Sequence, residues 1–269
     1  MIGLKTIKRI LFDRQLPAGT LLGGRFELVR LIGKGGYGLV YEANDLMKQD
    51  TCVVKQARPS RYKKGQANPF DDEMKYLTRL EALPYFPIVR ASFVESGHFF
   101  LAEDYIVGKT FETLVFEEGK KYSNAEAFAV LSELLTVVEQ IHEHQIVHRD
   151  LRLPNIIVTE RGLKVIDFGL ASELNETDEE GELSKHIPLE KYYMRKRVPQ
   201  SDLYALGHTT LFLLYSSYKP TTKKEKPWEE ELKLPQEAVA VLRRLLQIDE
   251  PFSFAAEAKS AVCQLRRSL

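Results

Sequence analysis

Between Arg25 and Lys55 the chain alternates polar and apolar residues with a period of two. RFELVRLIG, GLVYEAND and TCVVKQA predict three strands, with turn signals at Gly36 and from Asn44 to Asp50. The charged segment ARPSRYKKGQANPFDD then leads into EMKYLTRLEAL, where Met74, Leu77 and Leu80 have helical spacing. PIVRASFVES and HFFLAEDYI predict two further strands around a Ser-Gly turn. After Gly108 the period lengthens. NAEAFAVLSELLTVVEQIHEHQ predicts a long amphipathic helix with Asn124 as its N-cap and apolar residues three and four apart from Phe128 to Ile141. Two short strands, IIVTE and LKVIDFG, bracket an Arg161-Gly162 turn. A polar stretch follows, then helices at about 203–217, 235–247 and 254–267. Residues 1–24 read as a lead-in whose Leu4, Ile7 and Leu11 share one face of a short helix. The pattern is α+β: a strand-rich front over 25–107 and a helix-rich back over 108–269.

Composition narrows the function classes. The 38 basic and 38 acidic residues among 269 cancel, which removes a whole-chain case for binding nucleic acid or a membrane surface. The first 64 residues are the exception, with thirteen Lys/Arg against five Asp/Glu. An N-terminal basic amphipathic helix is expected to pack on the sheet lobe; contact with anionic lipid or nucleic acid is the alternative. Cys52 and Cys263 are too few and too far apart for a disulfide framework or a thiolate zinc site, so a reducing compartment is expected. Lys5, Lys8 and Arg9 interrupt the N-terminal apolar residues, leaving no signal-peptide core. The longest apolar stretch, Leu203 to Tyr218, is too short to span a bilayer. A cytoplasmic chain is expected.

Candidate chemistry begins at GKGGYG, where Gly33, Gly35 and Gly38 form a G-x-G-x-x-G. Backbone without Cβ atoms can approach phosphate oxygens and donate N–H groups to them. The dinucleotide version of this motif needs a following helix, whereas here Leu39-Val40-Tyr41 continues as strand. Lys55 ends the apolar run Cys52-Val53-Val54, and an inward lysine there needs a partner. Glu73, opening the first helix, is a suitable one. HRDLRLPN then supplies His148, Arg149, Asp150, Arg152 and Asn155, and Asp167-Phe168-Gly169 follows the apolar LKVI. A carboxylate with an amide oxygen makes a hard oxygen site for a divalent cation, and a separate carboxylate can accept a hydroxyl proton. His142 and His144 are two apart and face different ways on a helix, so a histidine metal site is rejected. Trp228 reads as packing for a late helix.

Taken together, GxGxxGxV, V-V-K, a helix glutamate, H-R-D-L-x-x-x-N and D-F-G over residues 25–265 resemble the bacterial, eukaryotic-like serine/threonine protein kinases. The resemblance implies the two-lobe kinase fold and transfer of the γ-phosphoryl group of ATP, with Mg2+ or Mn2+, to Ser or Thr hydroxyls of protein substrates, the chain's own included. It makes Ile32, Gly33, Lys34, Gly35, Gly36, Tyr37, Gly38 and Val40 the cover of the ATP phosphates. Lys55 holds the α- and β-phosphates and pairs with Glu73. Asp104, Tyr105 and Ile106 match the hinge that takes the adenine. Asp150 is the catalytic base, Asn155 and Asp167 hold the metal ions, and Asp202 has a structural role. A small-molecule kinase on the same fold and a nucleotide-binding pseudokinase scaffold are the alternatives.

Four departures from that pattern matter. Arg152 stands where the family usually carries a lysine near the γ-phosphate. HIPLEKYYMRKRVPQSD holds no Ala-Pro-Glu, with Glu190 at most a distant substitute, and Phe252 to Phe254 replace the arginine that pairs with that motif. Glu103 falls at the gatekeeper position, where a carboxylate re-polarises the pocket behind the adenine. Arg149 either anchors a phosphorylated Ser172, Thr177 or Ser184, or is served by the acidic run from Glu173 to Glu182. Lys191, Arg195, Lys196 and Arg197 read as a solvated face, with recognition of acidic substrates as the alternative.

Overall fold

The computed structural model describes residues 14–35, 38–58, 67–174, 188–220 and 226–267. The face of Leu4, Ile7 and Leu11, the loop residues Gly36 and Tyr37, and the stretch carrying Thr177 and Ser184 lie outside them. The chain divides into two compact units, 1–107 and 108–269.

The first unit is built on one antiparallel sheet. Strands β1 (Leu21–Leu22), β2 (Phe26–Lys34), β3 (Gly38–Asp45), β4 (Asp50–Ala57), β5 (Val89–Glu95) and β6 (His98–Asp104) lie in the order β1-β2-β3-β4-β6-β5. The period-two alternation sends Phe26, Leu28, Leu39, Tyr41, Ala43, Cys52, Val54, Phe100 and Ala102 into a single buried cluster. Phe93 stacks on both Phe26 and Phe100, at 5.7 and 5.3 Å between ring centroids. The buried Tyr41 hydroxyl needs partners, and it has them: it donates to Gln56 Oε1 at 2.9 Å and accepts from the Leu16 amide at 3.0 Å. Val53, Lys55, Leu101 and Glu103 are out of phase with that cluster, and their side chains project from the other face.

Beside the sheet lies α1 (Asp71–Leu80), which buries Glu73, Tyr76, Leu77 and Leu80. A five-residue charge network ties the sheet together. Asp45, fully buried, accepts from Arg25 at 2.6 and 2.7 Å and from Arg90 at 3.2 Å. Arg90 also pairs with Asp50 and, at 2.8 Å, with Asp104 at the end of β6. The guanidinium of Arg25 outweighs the effect of burial and holds the Asp45 carboxyl well below the usual carboxylate range.

The second unit is mainly helical. Its axis is α2 (Asn124–Glu143), packed against α4 (Pro199–Tyr215) and α7 (Ala255–Leu265), with α6 (Gln236–Leu245) behind them. Between Ile146 and Glu173 run β8 (Ile146–Val147), β9 (Ile156–Thr159), β10 (Gly162–Val165) and β11 (Ser172–Glu173); β7 (Lys109–Thr110) pairs with β9. β9 and β10 form a hairpin, Ile156 opposite Val165, and β11 pairs with β8.

The structure corrects several sequence expectations. The N-cap of α2 is Ser123, not Asn124: Ser123 and Glu126 form a reciprocal capping box, satisfying two orphan amides that an asparagine one residue later would leave. The lead-in contains β1, added to the sheet edge opposite β2. The stretch before α4 holds a further helix, α3 (Leu189–Arg195), and α4 itself starts at Pro199, whose fixed φ suits a first helical residue. Trp228 opens a one-turn helix, α5 (Trp228–Glu231).

Candidate active site

In the first unit the glycine segment is a strand-to-strand hairpin. Gly33 lies opposite Val40 and Lys34 opposite Leu39, and the Gly35 amide donates to the Gly38 carbonyl at 3.0 Å. Gly38 is required by space: a Cβ there would sit 2.6 Å from the Gln56 carbonyl oxygen of β4. Ile32 projects from this hairpin, more than a third exposed. Of the residues expected to cover phosphates, Gly36 and Tyr37 are outside the described ones.

Lys55 is buried on β4, and its Nζ donates to Glu73 Oε1 at 2.6 Å, the pairing expected from sequence. The sequence did not indicate a second partner: Glu103 Oε1 on β6 lies 2.9 Å from the same Nζ. Register explains it. Val53 pairs with Glu103 and Lys55 with Leu101, so Lys55 and Glu103 are diagonal neighbours on one sheet face. No periodicity within one strand could show that. Asp104, expected from the resemblance to open the hinge, is held from both sides: its amide donates to the Ile88 carbonyl at 3.0 Å and its carboxylate accepts from Arg90. Tyr105 and Ile106 follow, both half-buried.

In the second unit the loop between β8 and β9 gathers the polar residues. Asn155 ends a short 3-10 turn, Leu153–Asn155. Its Nδ2 donates to the Asp150 carbonyl and to Asp150 Oδ2, both at 2.9 Å. Arg152 Nε donates to the same Oδ2 at 3.2 Å, and Arg195 Nη2 approaches Oδ1 at 3.7 Å. The basic cluster is therefore not all solvated face, because Arg195 turns onto Asp150 and is three-quarters covered. Ile166, just before Asp167, donates its amide to the Asn155 carbonyl at 3.0 Å, and its carbonyl lies 3.3 Å from His148 Nε2. The fully buried Phe168 meets the His148 ring edge-on at 4.6 Å. Asp150, Arg152 and Asn155 are thus in direct contact, and Asp167 joins them through its neighbour.

Two non-glycine residues here adopt left-handed backbone: Arg149 at φ 66° and Asp167 at φ 68°. Asp202 on α4 holds the loop in that shape. Fully buried, it accepts from the His148 amide at 2.9 Å and the Arg149 amide at 2.8 Å, with His142 Nε2 at 3.0 Å. Burial by itself would raise the Asp202 carboxyl; the His142 and His148 contacts outweigh it and hold the group below its ordinary value. His142 and His148 are accordingly occupied with the loop. Ser172 is almost fully buried and its backbone is paired opposite Val147, so it does not present itself as a phosphate acceptor.

The oxygen donors suit a divalent cation. Because Asn155 commits its Nδ2 to Asp150, its amide oxygen points away from that carboxylate and is free of the repulsion it would bring. Asn155 Oδ1 and the half-buried Asp167 carboxylate are hard oxygen donors of the kind Mg2+ uses beside substrate phosphates.

Residues 26–267 match the protein kinase domain family. The chain belongs to the protein kinases. Kinases are also what it resembles individually. It is 38% identical to the "Probable serine/threonine-protein kinase YbdM" of Bacillus subtilis (strain 168), over 95% of this chain and 94% of that protein. Serine/threonine-protein kinases B and C of Synechocystis sp. are 28% and 31% identical over 84% and 72% of this kinase, which spans only 44% and 39% of their length. The α+β kinase fold expected from the motifs is what the two units display. Among the described residues no helix is long and apolar enough to cross a membrane.

Proposed function

We propose that this kinase transfers the γ-phosphoryl group of Mg-ATP to Ser or Thr hydroxyls of protein acceptors, itself included. The observation that carries the reading is Asp150, a carboxylate fixed by Asn155 and Arg152 with one oxygen turned toward Arg195. Phosphoryl transfer asks a protein for position and positive charge more than for covalent chemistry. Asp150 orients the acceptor hydroxyl and takes its proton. Asn155 and Asp167 hold the divalent cation, which when bound neutralises charge on the transferred phosphate. Lys55, held by carboxylates, presents its ammonium to the nucleotide phosphates under the roof of Gly33, Lys34, Gly35 and Gly38. Asp104 to Ile106 take the adenine by main-chain groups. Arg152 and Arg195 add two cations where charge accumulates on the transferred group.

The test is label transfer from γ-labelled ATP with Mg2+ or Mn2+, wild type beside Asp150→Asn, with site mapping by mass spectrometry. Phosphate on Ser or Thr in the wild type alone supports the reading. Nucleotide binding without transfer to the chain itself or to protein acceptors sinks it and favours a small-molecule acceptor or a scaffold.

A further inference from the structure

We infer that Glu103 is a positioning residue for Lys55, so that the orientation of the phosphate-binding lysine is fixed by the sheet as well as by the helix. The inference deepens the proposed function, since it concerns how the nucleotide-phosphate residue of that site is held. Three observations carry it. Lys55 Nζ is within hydrogen-bonding distance of two carboxylates, Glu73 on α1 at 2.6 Å and Glu103 on β6 at 2.9 Å. All three side chains are buried, so neither contact is a solvated surface pair of negligible weight. And the two carboxylates are attached differently. β4 and β6 are hydrogen-bonded neighbours from Cys52↔Asp104 to Gln56↔Phe100, so the Lys55–Glu103 spacing is set by strand register. Glu73 stands in the first turn of a ten-residue helix whose N-cap position, Phe70, has no side-chain cap.

The consequence is a division of labour. A helix can shift as a body against a sheet, and a lysine held by the helix alone would lose its orientation when it did. The backbone of a diagonal neighbour on the paired strand cannot move away without breaking the ladder. Glu103 therefore keeps the Lys55 ammonium extended across the sheet face whatever α1 does, and Glu73 completes the pairing. Removing one carboxylate leaves the other in place. Removing both takes two carboxylates from one buried ammonium, so the two losses are strongly non-additive.

The experiment is a double-mutant cycle of Glu73→Gln and Glu103→Gln, isosteric changes that keep the side-chain volume, with Lys55→Ala as the floor. Three quantities are read: the affinity for Mg-ATP, the kcat and KM of phosphate transfer, and the Lys55 ammonium resonance in 15N-lysine-labelled, nucleotide-free protein. Each single variant is expected to lose less than about tenfold in kcat/KM and the double more than about 100-fold, with the resonance retained in both singles and lost in the double. Melting curves separate this from unfolding. If Glu73→Gln alone falls to the Lys55→Ala floor and loses the resonance, the sheet carboxylate does not position the lysine and the inference is overturned. It is equally overturned if Glu103→Gln tightens nucleotide binding without changing the cost of Glu73→Gln, which would make Glu103 a competitor of the phosphates. A wild type that transfers no phosphate defeats the proposed function, but the resonance still decides the role of Glu103.

Discussion

Arg149 donates through Nε to the main-chain carbonyl of Arg195 at 2.7 Å and through Nη1 to that of Leu170 at 3.3 Å. Those carbonyls come before and after the segment that carries Thr177 and Ser184 in the chain, so the β8–β9 loop holds both of its flanks through a charged donor. If these main-chain contacts suffice to hold the segment, Thr177→Ala with Ser184→Ala keeps the transfer rate within about threefold; a larger loss assigns Arg149 to a phosphorylated residue. Arg149→Ala is expected to lose roughly 10- to 150-fold, the scale of a charge-assisted hydrogen bond of about 1.5–3 kcal/mol. Steady-state rates before and after phosphatase treatment check both.

The Asp150 and Asp167 carboxylates separate by what they lose. Asp150→Asn should retain nucleotide binding and fall at least about 100-fold in kcat, one acid–base contribution. Asp167→Ala should abolish transfer at any Mg2+ concentration with the fold intact by circular dichroism. Undiminished activity in Asp167→Ala would falsify the metal assignment.

Gly38 admits no side chain. Gly38→Ala would press a Cβ against the Gln56 carbonyl across the β3–β4 ladder. The expected cost is about 1–3 kcal/mol, typical of overpacking, read as a drop of a few degrees in Tm and a raised KM for ATP. Gly24→Ala, where nothing lies near the added carbon but φ is 61°, tests the cost of backbone strain alone and should leave KM unchanged.

The Asp45 network predicts a pH signature. Its folded-state carboxyl lies below the unfolded value, so its contribution is fully present above about pH 4 and is lost as pH falls toward the folded value. Asp45→Asn should therefore melt well below the wild type at pH 7, and the gap should close progressively below pH 4. A gap that stays constant from pH 7 to pH 2 would show that Asp45 acts through packing instead of charge.

Much of this was legible in the sequence because strand alternation and motif spacing are local signals. The cluster from Phe26 to Ala102 follows from period two, and Lys55, Asp150, Asn155 and Asp167 stand out by their neighbours. What escaped depends on register or on chain reversal. Glu103 reaches Lys55 only because β6 pairs with β4 in one register. Arg195 reaches Asp150 across 45 residues, and Arg90 gathers three aspartates from β3, β4 and β6. Helix α3 was hidden because it is short and has no buried stripe: none of its residues is fully buried. Asn124 has the composition of a cap, but the reciprocal Ser123–Glu126 capping box starts the helix one residue earlier.

The left-handed backbone at Arg149 and Asp167 carries a conformational cost at two positions proposed to serve transfer. Each such residue costs on the order of 1–3 kcal/mol, held in place here by Asp202 and the surrounding strands. Glycine at either position would release that cost while deleting the guanidinium or the carboxylate. A library screened only for survival at high temperature is thus expected to collect glycine at 167, and those clones would be its slowest in transfer.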